Sequence, residues 1–178
     1  LLLCCLLPLT LASCGEALTG EQRLTVSTEP LRYFVENVAG DKFVVTTLVP
    51  TGASPETYEL TPQQVVEVSD SRAYFTVGTL GLEKTRLQKL TENAPELVTV
   101  NVSDSIPLMT TDETNCTDEH HGHLHSDGVD LHTWTSTTSA RAIVERICHA
   151  LVELDSANAA FYAHRADSLL AHIDSIDV

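Results

Sequence analysis

Seven ionisable side chains crowd one ten-residue stretch: Asp118, Glu119, His120, His121, His123, His125 and Asp127. Neutral imidazoles are the commonest protein ligands for zinc and its neighbours, and carboxylates can complete such a shell. The stretch therefore points to contact with a divalent cation through His120, His121, His123 and His125. The bland alternative is a solvated polar loop.

Two further segments could do chemistry. Asp130-Leu131-His132-Thr133-Trp134 places an imidazole two residues before the chain's single Trp and just ahead of a capped helix. From these residues alone His132 is either a metal ligand or a structural histidine. Pro50 to Pro62 follows an extended run and carries Glu56 and Glu59, either of which could turn a carboxylate into a site; the bland reading is an acidic turn. Ligands of open α/β folds gather at the carboxyl ends of the strands, where this loop lies. One decoy competes. His123-Leu124-His125-Ser126-Asp127 matches the H-x-H-x-D core of metallo-β-lactamase-type hydrolases, whose two metals activate water. Those folds place a second His after the Asp, where Gly128 stands here. A metallo-hydrolase is the remote reading, and the chain is not expected to be an enzyme.

The elements that must hold these residues alternate. Arg23–Ser27, Lys42–Val49, Ala73–Val77 and Leu97–Val102 read as strands, Lys42–Val49 as a buried one. Leu31, Phe34, Val35 and Val38 fall at helical spacing, with Gly40 as the stop. Thr61-Pro62 opens a second helix, with proline at its first position. Leu82–Leu90 reads as a third. Strand and helix in turn, with short connections, predict a parallel four-stranded sheet flanked by helices. The polar run from Ser103 to Leu131 is long for a loop, a length that is commonly functional. Beyond it, Thr137–Leu154 carries Ile143, Ile147, Leu151 and Leu154 on one stripe. Asp155-Ser156 caps a last helix from about Ala157, with Phe161, Leu169, Ile173 and Ile176 as its apolar side.

The charge balance is lopsided: 25 Asp and Glu against 10 Lys and Arg, net −15 over 178 residues. That argues against nucleic acid, which needs a basic face to release counterions. It favours cations. Leu1 to Leu11 are almost all apolar and too short a run to span a bilayer, which takes roughly 20 residues; residues 1–13 are the segment ahead of Cys14. They fit the remnant of a signal peptide, and Leu11-Ala12-Ser13-Cys14-Gly15 looks like a bacterial lipobox, with Cys14 as the lipidated residue and residues 14–22 as a tether. The expected location is outside the cytoplasm, lipid-anchored in the cell envelope. Cys116 and Cys148 remain. A disulfide between them, a metal-ligating Cys116 and a core-packed Cys148 are the open alternatives.

In combination these residues resemble the metal-binding substrate-binding proteins of ABC importers, the zinc and manganese uptake family. The likeness runs through the lipobox Cys, the Pro50–Pro62 stretch, Val77-Gly78 with Leu82-Glu83 after it, the His-rich loop at 116–128, and the Leu154-Asp155-Ser156-Ala157-Asn158 junction. The family motif Pro-His-x-Tyr-Glu-Pro-Thr-Pro appears as Pro55-Glu56-Thr57-Tyr58-Glu59-Leu60-Thr61-Pro62, and Asp-Pro-His-x-Trp appears with Leu131 in place of Pro. The resemblance implies an N-terminal metal-binding lobe at 23–156 and the start of a long interlobe helix at 157–178, with a second lobe beyond Val178. It implies Glu56 and His132 as two ligands for Zn2+, or for Mn2+, the harder metal that a carboxylate at position 56 favours. The implied partner is a membrane permease, and the implied state a monomer. A surface adhesin and a metal-buffering lipoprotein are the alternatives from other classes.

Overall fold

The computed structural model describes residues 22–84, 90, 94–107 and 132–176. Strands β1 (Arg23–Val26), β2 (Val44–Thr47), β3 (Ala73–Thr76) and β4 (Val98–Asn101) make one parallel sheet in the order β2-β1-β3-β4. Among the described residues helices α1 (Glu29–Ala39), α2 (Pro62–Ser69), α3 (Thr137–Leu154) and α4 (Ala159–Ile176) accompany it, and 81–84 are helical as well. The expected parallel sheet flanked by helices is the one that forms.

Covered on both sides, the central strands are largely buried: all four residues of β3 are, and so are Leu24, Thr25 and Val26 of β1. Successive side chains leave opposite faces of a strand. Ala73 and Phe75 therefore join the larger core with Leu24, Val35, Ile147 and Tyr162, beneath α1, α3 and α4. Tyr74 enters the smaller core with Leu48, Val68, Leu90 and Leu97. The edges differ. Lys42–Val49 reads as a buried strand, yet β2 is a half-covered edge strand with Val44 41% exposed, because only β1 pairs with it.

Helix ends follow local chemistry. Thr61 and Gln64 exchange bonds across the first turn of α2: the Gln64 N–H donates to Thr61 Oγ1 and the Thr61 N–H to Gln64 Oε1, a capping box with Pro62 inside it. α3 spans the residues expected of it and is capped by Ser136, whose hydroxyl accepts from the Ser139 N–H at 3.1 Å. Of its stripe, Ile143, Ile147 and Leu151 are buried. In α4 the apolar side lies where Leu169 and Ile173 put it, with Tyr162 in place of Phe161 at its head. Tyr162, Ala166, Leu169 and Ile173 are buried, Phe161 is half-buried and Ile176 is 62% exposed. The 3-10 turn Ser156–Asn158 precedes the helix, which starts at Ala159.

Among the described residues no helix is long and apolar enough to cross a membrane. Cys14, Cys116, His120, His121, His123 and His125 lie outside the described residues, as do positions 85–89 of the expected third helix. Cys148 is half-buried against the larger core, and burial, aided by the Asp167 charge, pushes its thiol pKa up.

Candidate metal site

The loop after β2 is built from tight turns. The Ala53 N–H donates to the Pro50 carbonyl at 3.0 Å and the Thr57 N–H to that of Ser54 at 3.3 Å, so Glu56 sits inside a turn. Gly52 takes a φ of 87°, a left-handed value that glycine adopts without steric cost. The far end of the loop is tied down by Gln64, whose amide donates to the Leu48 carbonyl at 2.9 Å and lies 3.1 Å from the Tyr58 hydroxyl. Glu56 and Glu59 are both exposed. A Cβ at Gly81 would stand 3.9 Å from the Glu56 carbonyl oxygen, so the turn that carries Glu56 lies against the segment following β3.

His132 opens the 3-10 turn Thr133–Thr135. Its carbonyl accepts from the Thr135 N–H at 3.2 Å and the Thr135 hydroxyl at 2.8 Å. Thr133 is buried and shares a 3.0 Å hydroxyl–hydroxyl bond with Ser103, just past β4. Trp134 packs on the larger core. The turn is thus held on one side by the end of β4 and on the other by the start of α3, and His132 stands exposed between them.

A cleft of about 290 Å³ at the carboxyl ends of β1 and β2 unites the two segments: Thr28, Val49, Pro50, Pro55, His132 and Trp134 line it. Pro55 is the neighbour of Glu56. The structure thus brings the Glu56 turn and His132, far apart in sequence, to one rim. Among the described residues no group of three or more His, Cys, Asp or Glu side chains gathers to hold a metal. A carboxylate and an imidazole suit a divalent cation, and a cation held there would take further ligands from elsewhere.

A second polar feature lies beneath the rim. Glu83 is 3% exposed, and its carboxylate accepts from the Ser27 hydroxyl in a very short bond, from the Val77 N–H at 2.8 Å, from the Gly78 N–H at 2.6 Å and from the Leu80 N–H at 3.3 Å. The Tyr74 hydroxyl lies 2.9 Å from Ser27 Oγ. Burial raises the Glu83 pKa, opposed by these hydrogen bonds, and burial also raises that of Tyr74, with the Glu83 charge adding to it. The sequence hint for Glu83 was its place three residues after Leu80: a Glu at the third helical position reaches back to the N–H of the capping residue. Nothing in the sequence indicated the convergence of four donors.

A family model described as "Zinc-uptake complex component A periplasmic" matches residues 24–178. The chain belongs to that family. The chain is 32% identical over 172 residues to the manganese-binding lipoprotein MntA of Halalkalibacterium halodurans, covering 93% of this chain and 53% of that protein. It is 27% identical over 188 residues to the high-affinity zinc uptake system protein ZnuA of Bacillus subtilis, covering 95% and 56%. A crystal structure of ZnuA superposes with a TM-score of 0.74 at 28% identity, covering 86% of this chain and 55% of that one. A zinc-bound deletion mutant of ZnuA gives 0.74 at 30%. The chain spans about half the length of the curated relatives it matches.

Proposed function

We propose that the protein captures a divalent metal ion outside the cytoplasm and delivers it to the permease of an ABC importer. The single observation that carries this is the cleft at the carboxyl ends of the strands, where His132 and the Glu56 turn share one rim on the fold of a metal-uptake family. Glu56 supplies an oxygen and His132 a nitrogen, and ligands from a second lobe complete the shell. Capture needs no bond making or breaking. The relatives are named for manganese binding and for zinc uptake. Zinc is the proposed cargo, because an imidazole in the site and the His120, His121, His123 and His125 loop both suit it, with manganese as the alternative. Cys14 carries the lipid anchor in this reading, in keeping with relatives named lipoproteins.

Isothermal titration of zinc and manganese into the full gene product, beside Glu56→Ala and His132→Ala, tests the assignment. Each substitution is expected to weaken binding of the preferred metal at least about tenfold, the loss of one direct ligand being no smaller than that of a supporting partner. Unchanged affinity in both variants would sink the site assignment.

A further inference from the structure

We infer that Glu83 is a positioning residue of this cleft, one that sets the spacing of the Glu56 turn and His132 without touching the metal; this rests on the capture reading above. A buried carboxylate at the carboxyl ends of β1 and β3 invites assignment as a ligand. Its bonding excludes that. A carboxylate has about four lone-pair sites. Oε1 accepts from Ser27 Oγ and the Val77 N–H, and Oε2 accepts from the Gly78 and Leu80 N–H groups, so all four are taken.

What those bonds join gives the role. Ser27 directly follows β1 and precedes Thr28, a wall of the cleft. Val77 to Leu80 is the segment leaving β3, and Gly81 after it backs the Glu56 carbonyl. One carboxylate therefore clamps the cleft wall to the surface on which the Glu56 turn rests. The same clamp reaches the other ligand. Gly78 has a φ of 86° and lies so close to Asn101 that an added Cβ would fall 2.3 Å from its side-chain amide. Asn101 Oδ1 accepts from the Ser103 N–H at 3.0 Å, and Ser103 Oγ meets Thr133 Oγ1 at 3.0 Å, next to His132. Both proposed ligands thus hang on a scaffold that converges on Glu83. Outer partners of a metal site commonly act in this way, holding ligands in register.

Zinc and manganese are titrated into the full gene product and into Glu83→Gln, Glu56→Ala and the double variant, with thermal melts alongside. Gln keeps the shape but turns an NH2 toward backbone donors. Folded E83Q should bind about tenfold more weakly, and adding it to E56A should cost less than it costs alone. Should E83Q not fold, Ser27→Ala, which leaves three of the four donors, carries the same expectation with a smaller loss. A merely structural role would lower the melting temperature and leave affinity intact, and that result in E83Q or S27A overturns the inference. Fully additive losses overturn it as well. Absence of metal binding by the unsubstituted protein would instead overturn the capture reading itself, and the inference with it.

Discussion

The Trp134 ring meets the His132 imidazole edge to face, with centroids 5.4 Å apart and planes at 69°. Such a T-shaped pair sets the positive edge of one ring against the negative face of the other and is favourable by about 0.5–1.5 kcal/mol. Trp134 is half-buried and packs against the larger core, so the exposed imidazole is propped by an anchored aromatic surface. A ligand held in place before the metal arrives loses little freedom on binding.

That contact makes Trp134 a reporter. A metal at His132 changes the charge a few ångströms from the indole, so zinc is expected to shift or quench the tryptophan emission of the full gene product. Trp134→Phe should remove that response while leaving binding detectable by calorimetry. His132→Ala should remove it by weakening the binding. A response that persists in both variants would place the metal elsewhere.

At the junction of α3 and α4 the Tyr162 hydroxyl donates to Asp155 Oδ2 at 2.6 Å and the Asn158 amide donates to the same oxygen at 2.7 Å. The Tyr162 bond is the larger cause of an Asp155 pKa below the usual carboxylate value, with Asn158 next. A folded-state pKa depressed below the unfolded one contributes stability that is present above the unfolded value and lost as pH falls through the folded value. Asp155→Asn should therefore melt earlier than the unsubstituted protein at neutral pH. The gap should close below the usual carboxylate range. Melting curves taken from pH 7 to pH 3 check this, and a gap independent of pH contradicts it.

Gly40 ends α1 with a φ of 59° and ψ of −132°, and a Cβ there would fall 2.7 Å from Phe161 Cζ. Gly40→Ala meets both a left-handed backbone and a ring on α4. Destabilisation of at least about 1–2 kcal/mol is expected from the backbone alone. Chemical denaturation measures it. Near-neutral behaviour would show that Phe161 and the turn relax together.

Much of the fold could be read from the chain because its signals are local. Thr61, Pro62 and Gln64 lie within one turn and set the start of α2 by bonding to one another. The spacing of Ile143, Ile147 and Leu151 predicts the buried face of α3 because helical period alone decides it. In α4 the same method places Leu169 and Ile173 correctly but takes Phe161 where Tyr162 is buried. Adjacent aromatics are equal candidates by period, and the choice falls to the Asp155 bond and the fit beside Phe43. The edge position of β2 was likewise not legible, since strand order depends on which strands pair.

From residue type alone Glu56, Glu59 and His132 stay open as ligands, and it is the family resemblance that implies Glu56 and His132. Sequence alone determined the alternation of strands and helices, the caps and the candidate ligand types, all of which depend on neighbours a few residues away. Tertiary structure decided that the Pro55 turn and His132 line one cleft, and that Glu83 lies buried among four donors beneath it. Those facts depend on strand order and on backbone N–H groups from separate elements meeting at one point. Only closure of the sheet and packing of its helices can bring them there.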